Sequence, residues 1–206
     1  MAHYIWFNPV VKSLNSYHKL QAFITEFSFV EINPNEDLIT SVKEKYYETI
    51  RLSEKTVVDM RCPMAVDLIR EKYDDGYIFP EIHPILIHCA IELGDTYIKE
   101  NDDFLIVTTP CQSLADYGNR LKLEKIKFIT WLDLLAEYQY NVGNSKLNES
   151  PIPPGFFDVN RVNVLNLKSK NEIDDYFKET DAHKHELVEM LYCENGCHNG
   201  DGIVES

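Results

Sequence analysis

The chain has no uninterrupted apolar run of the about 18 residues that a membrane-spanning helix requires, because charges fall inside every hydrophobic stretch. Its first residues, MAHYIWFNPVVKSL, lack the basic start, long apolar segment and small-residue cleavage site of a secretory leader. Positive charge is scarce: 20 Lys and Arg stand against 34 Asp and Glu, giving a net charge of −14. A duplex-binding face would repel its target, and no local basic patch offsets that balance. No P-loop, Gly-x-Gly-x-x-Gly turn or Ser/His/Asp order is present, so nucleotide chemistry and triad hydrolysis have no support. Repeats and low-complexity tracts are missing too. These absences lead us to expect a cytoplasmic protein that neither inserts in membranes nor binds nucleic acid.

What is there is a core. The 206 residues are 44% hydrophobic and 12% aromatic, enough for one domain, or one domain built as two lobes. Strand and helix signals alternate along the chain. Strands are expected at His3–Phe7, Phe29–Ile32, Thr56–Met60, Phe104–Thr109, Lys127–Thr130, Asn163–Leu167 and Glu186–Tyr192. Helices are expected from Ser16 to Phe27, Glu36 to Leu52, Met64 to Tyr73, Ile82 to Lys99, Trp131 to Tyr140 and Glu172 to Glu179. Asn141–Pro154 is the longest expected loop. The fold class is therefore α/β: two small lobes with short, mostly parallel sheets flanked by helices. Lobe boundaries are expected at about 1–80 and 81–180, with a terminal strand and turn over 186–206.

The five cysteines are odd in number, and cytosolic thiols stay reduced, so a disulfide framework is not expected. Cys89 lies within Ile85-Leu-Ile-His-Cys-Ala-Ile-Glu-Leu93, an apolar helical pattern, and reads as a small buried hydrophobe. The other four sit in turn-like contexts beside Pro or Gly, just past expected strands: Cys62, Cys111, Cys193 and Cys197. The carboxyl edge of a parallel sheet is where ligands gather. Four thiolates there could hold zinc or an iron–sulfur cluster. Spacings of 49 and 82 residues, with one short C-x3-C pair, require ligands collected by tertiary folding.

Three segments carry a family resemblance: Arg61-Cys62-Pro63-Met64-Ala65, Pro110-Cys111-Gln112-Ser113-Leu114 and Cys193-Glu194-Asn195-Gly196-Cys197-His198-Asn199-Gly200. In this order they resemble the three signatures of the catalytic domain of iron-only (FeFe) hydrogenases and their hydrogenase-like sensory relatives. Ile69-Arg-Glu-Lys-Tyr73 and Trp131-Leu-Asp-Leu-Leu135 resemble the helices that follow the first two. The likeness spans nearly the whole chain in shortened form. It implies that Cys62, Cys111, Cys193 and Cys197 ligate a 4Fe–4S cluster between two α/β lobes. In active members the last of these cysteines also bridges to a two-iron subcluster.

Three positions depart from that pattern. Arg61 replaces the extra thiol that passes protons to the two-iron unit. Leu114 replaces a lysine that donates to its cyanide, and Asp201 interrupts a glycine triplet. A guanidinium stays protonated and a leucine donates nothing, so no hydrogenase activity is expected. The expected role is a redox sensor or electron relay working with a protein partner or a larger redox or signalling complex. A minimal active hydrogenase and a cofactor-poor or zinc-binding scaffold are the alternatives.

Several further residues have both a functional and an ordinary reading. Arg61 could tune a cluster or bind an anion, its ordinary role being a surface ion pair. His198 could donate a hydrogen bond to a cluster sulfur or supply protons, its ordinary role being a solvent-facing turn residue. His83 and His88 read as ordinary hydrogen-bonded histidines. His183 and His185 lie in a polar stretch with only a remote zinc reading. Asp102-Asp103 and Asp174-Asp175 read as solvated charges.

Overall fold

The computed structural model describes all residues except 1, 36, 74–75, 144–145, 153, 179–183 and 204–206. Glu36 and Glu179, expected at helix ends, His183, and part of the expected 141–154 loop lie outside the described residues. The chain is α/β, with short parallel sheets flanked by helices. It divides into two units: 1–35, 86–152 and 197–206 in one, 36–85 and 153–196 in the other. Both units are discontinuous in sequence, unlike the contiguous lobes expected at about 1–80 and 81–180. The reason is strand pairing between segments far apart in the chain.

The first unit holds β1 (His3–Trp6), β2 (Phe29–Glu31), β4 (Phe104–Thr109) and β5 (Ile126–Thr130), while the second holds β3 (Val57–Val58). The four strands pair in the order β2-β1-β4-β5, all parallel. Strand order reverses between β1 and β4, and the carboxyl ends of such a pair form the usual binding edge of an open α/β sheet. Asn8, fully buried, ties that edge together. Its side chain accepts the amides of Val10 and Val11 and donates to the Thr108 carbonyl at 3.0 Å. It thereby caps α1 (Pro9–Leu14), with proline at the first helical position.

Helices α2 (Tyr17–Glu26), α5 (Ile85–Tyr97), α6 (Gln112–Arg120) and α7 (Trp131–Glu137) complete this unit, α5 beginning at its border with the other. Ser16 accepts from Lys19 N and Thr130 from Asp133 N, so both caps hold their helix starts. The core is aromatic. Phe23 is fully buried and stacks on Phe29 at 6.0 Å, with Phe7 and Trp131 meeting edge to face at 5.7 Å.

The second unit holds α3 (Asp37–Arg51), β3 (Val57–Val58), α4 (Pro63–Tyr73), β6 (Val164–Leu167), α8 (Lys170–Lys178) and β7 (Leu187–Met190). Its sheet runs β3-β7-β6, again parallel, with Val58 opposite Val188 and Asn166 opposite Glu189. Tyr46, Ile69, Phe157, Ile173 and Phe177 fill the core around these strands.

Helices α1, α5 and α6 depart from expectation, and α1 has no expected counterpart. α5 begins at Ile85 rather than Ile82, because a residue before proline, here His83, is pushed out of the helical region. α6 was not expected at all. It is mostly polar, and its buried face is only Leu114, Ala115 and Gly118.

Candidate metal centre

In the second unit, β3 and β7 run side by side and release their chains at one edge. Asp59 N donates to the Val188 carbonyl at 2.9 Å, so the strands remain in step to that point. Cys62 then caps α4: its carbonyl accepts from Val66 N at 3.0 Å, and Pro63 opens the helix. Burial pushes the Cys62 thiol up, while the backbone amides of Tyr192 and Ala65, which face its sulfur, offset part of that rise. Tyr192 immediately precedes Cys193, so the Cys62 sulfur lies against the turn that carries Cys193. That turn bends through Asn195 (φ 60°) and Gly196 (φ 124°), with Gly196 N donating to the Cys193 carbonyl. The structure therefore brings Cys62 and Cys193 to the ends of neighbouring strands.

Behind Cys62 lies a buried polar network that the sequence reading missed. Arg61 Nε donates to Asp59 Oδ2 at 2.9 Å, and Nη2 stands 2.8 Å from Asp59 Oδ2 and 2.7 Å from Glu189 Oε1. Asp59 is fully buried and Glu189 is 1% exposed. The Arg61 guanidinium also stacks over Phe156 at 4.2 Å. Glu189 in turn accepts amides from Gly155 and Phe156, both at 2.9 Å, pinning the 155–157 segment to β7. Tyr46 closes the set by receiving Met60 N at 2.9 Å.

Burial alone would lower the Arg61 pKa, yet the two carboxylates hold it above its ordinary value. Burial raises the Asp59 carboxyl despite Arg61. Arg61 is thus no surface ion pair, and its fork is filled by carboxylates rather than open to an anion. One signal could have found its partners. Asp59 and Glu189 each sit inside a short apolar run, and a buried charge in such a run needs a counter-charge.

In the first unit, Cys111 is the N-cap residue of α6, directly after β4. Cys197 begins a 3₁₀ turn, Cys197–Asn199, and packs against the core of this same unit. The segment after it lies against the Cys111 turn. A Cβ on Gly200 would come within 2.2 Å of the Pro110 carbonyl oxygen, and one on Gly202 within 3.2 Å of Cys111 Cα. Only glycine permits that approach. Asp201, which interrupts the glycine triplet, accepts Gln112 N at 2.9 Å and so caps the helix that Cys111 opens. Cys111 and Cys197 are thus the second pair, at the edge where the strand order of this unit reverses.

The remaining residues separate clearly. Cys89 is buried, its thiol pushed up to about 12 mainly by burial. Leu114 is buried at 7% exposure. His198, expected in solvent, is 7% exposed, and its Nδ1 is buried without a hydrogen bond among the described residues. His83 and His88 are half-buried and partnered, and His185 Nδ1 faces the Tyr176 hydroxyl at 3.4 Å. Asp103 departs from its solvated reading: it is 5% exposed and accepts the amides of Ala2, Lys99 and Glu100.

None of the five cysteines forms a disulfide. Among the described residues, no three His, Cys, Asp or Glu side chains gather closely enough to hold a metal ion. The expected ligands fall instead as two pairs, one in each unit. Their chemistry fits a thiolate-ligated metal: soft sulfur donors, amides facing Cys62, and Cys62 and Cys111 each at a helix N-terminus. Among the described residues no helix is long and apolar enough to cross a membrane. Comparison of the chain with protein-family models and with curated proteins finds no match.

Proposed function

We propose that the chain is a non-catalytic, hydrogenase-like iron–sulfur protein that holds one 4Fe–4S cluster through Cys62, Cys111, Cys193 and Cys197. The observation that carries this reading is the pairing. Each unit presents two of the four cysteines at the carboxyl ends of its parallel strands, and only three residues separate Cys193 from Cys197. When bound, the cluster supplies one-electron exchange. The residues of this chain set its surroundings. The Tyr192 and Ala65 amides orient and stabilise the Cys62 thiolate, and the dipole of α6 favours that of Cys111.

The residues do not fit a two-iron subcluster. Arg61 is locked between Asp59 and Glu189 and holds its proton, so it is no proton carrier. Leu114 is a buried apolar side chain where a cyanide would need a donor. With a net charge of −14, the chain is suited to dock on a basic protein surface. Its role is then electron relay or redox sensing within a complex, in the cytoplasm.

The test is anaerobic reconstitution with iron and sulfide, followed by a visible spectrum and metal analysis. About four iron and four sulfide per chain are expected, with a broad, reducible charge-transfer band. Protein that takes up zinc alone, or no metal, overturns the reading. A synthetic two-iron complex offered to the loaded protein should leave no bound cyanide or carbonyl infrared bands and evolve no H2.

A further inference from the structure

We infer that His198 donates a hydrogen bond from Nδ1 to the cluster, at a sulfide or at a ligating thiolate of the Cys111–Cys197 pair, and so tunes its potential. This rests on the iron–sulfur reading above. His198 directly follows Cys197 and is 7% exposed, and its Nδ1 is fully buried with no hydrogen bond among the described residues. Buried polar atoms are nearly always partnered, so an exception calls for an explanation.

Two other buried polar atoms explain less. Asn166 Oδ1 is an acceptor only, on β6 in the other unit. Arg61 Nη2, unaligned for a hydrogen bond, still lies against two carboxylates. Among the described residues His198 Nδ1 has no hydrogen-bond partner, and it can donate.

The turn that carries His198 is held at several points. The Gly200 backbone abuts the Pro110 carbonyl, Asp201 caps Gln112, Gly202 accepts from Leu132 N, and Ile203 is buried. His198 therefore rides on the same clamped turn that fixes Cys197 beside Cys111. Iron-bound thiolates and sulfides are acceptors, and donors to them set cluster potentials by favouring the reduced, more negative state. An Nδ1 that donates carries a proton. His198 is a positioning residue for the cluster and takes no part in a bond-making step.

The experiment compares wild type, His198→Leu and His198→Asn after anaerobic loading, at one pH, by redox titration and resonance Raman. Leucine removes the donor, whereas the asparagine amide can present an N–H near the Nδ1 position. In His198→Leu the reduced-to-oxidised ratio at fixed ambient potential should fall about tenfold, equal to about 59 mV for a one-electron couple. Its Fe–S stretching bands should shift, and His198→Asn should recover most of both effects. Unloaded His198→Leu should melt no lower than unloaded wild type, since it removes an unpaired buried polar group.

A loaded His198→Leu with wild-type potential and Raman bands overturns this inference alone. Wild-type protein that takes up no iron overturns both it and the reading beneath it. If His198→Leu fails to load, His198→Asn decides. Loading at the wild-type potential supports the donor role, and failure to load or a displaced potential overturns it.

Discussion

Nη2 of Arg61 stands 2.7 Å from Oε1 of Glu189, joining the turn after β3 to the strand beside it through a nearly solvent-free ion pair. Glu189 carries the 155–157 amides, and Asp59 shares the guanidinium, so one cation organises three backbone segments. Arg61→Met should leave two buried carboxylates without a counter-charge and lower stability by about 3–5 kcal/mol. Arg61→Lys should lose less but remain below wild type, since an ammonium cannot reproduce the fork. Urea unfolding measures both. A methionine variant as stable as wild type would show that the pair is not the organising contact.

Gly200 and Gly94 separate backbone collision from side-chain crowding. A methyl at Gly200 would meet the Pro110 carbonyl oxygen at 2.2 Å, whereas one at Gly94 would meet the movable end of Ile126 at 2.7 Å. Gly200→Ala should therefore cost about 1–3 kcal/mol or more and speed thiol labelling of Cys111 and Cys197, with Gly94→Ala milder in both respects. Thermal melts and labelling kinetics with a thiol reagent check this. Equal effects at the two positions would count against a clamped C-terminal turn.

The cysteines should divide four to one. Replacing Cys62, Cys111, Cys193 or Cys197 by Ala is expected to remove at least about half of the bound iron, because metal binding and folding are coupled. Cys89→Ala should leave the spectrum unchanged. Iodoacetamide at pH 8 should reach Cys89 last, since burial holds its thiol near 12, far from the reactive thiolate. Bleaching by Cys89→Ala alone would overturn the ligand assignment.

Asp103 makes stability depend on acid. The amides of Glu100, Ala2 and Lys99 hold its carboxyl below the ordinary value. Its folded pKa is thus below that of the unfolded chain, about 3.9. Its contribution is complete above that value and fades as pH falls through the lower folded pKa. Asp103→Asn keeps an acceptor oxygen but loses the charge. The variant should melt lower at pH 7 and show a shallower loss of melting temperature below about pH 4. Parallel melting curves for the two proteins across pH 2–7 would exclude this role.

Much of the sheet framework was legible because a β-branched run such as Phe104–Thr109 declares itself as a buried parallel strand, and the short apolar run around Leu187–Met190 as another. The position of each ligand candidate just past such a run followed from the same signal. α1 was missed because six residues are too few to show a helical period. Its one mark, Asn8 before Pro9, is equally a strand stop and a cap. α6 was missed because a helix whose buried face is Leu114, Ala115 and Gly118 has almost no apolar stripe to read. The division of the four cysteines into Cys62 with Cys193 and Cys111 with Cys197 depends on which strands pair. Thr56 bonds to His185 across 129 positions, and no local pattern encodes that partnership. The Arg61 network was hidden for a related reason: Glu189 comes from a strand far along the chain from the turn that carries Asp59 and Arg61.

The central place of β7 in its three-stranded sheet has a consequence for synthesis. β3 and β6 bond to β7 and not to each other, and β7 leaves the ribosome after every other strand among the described residues. Until it emerges, both neighbours present unsatisfied edges and the second core has no centre. This unit therefore completes only after residues 187–190 are translated, with high contact order and a long window for misassociation. A nascent chain arrested before residue 187 would keep the first sheet's four strands and lack the second sheet altogether.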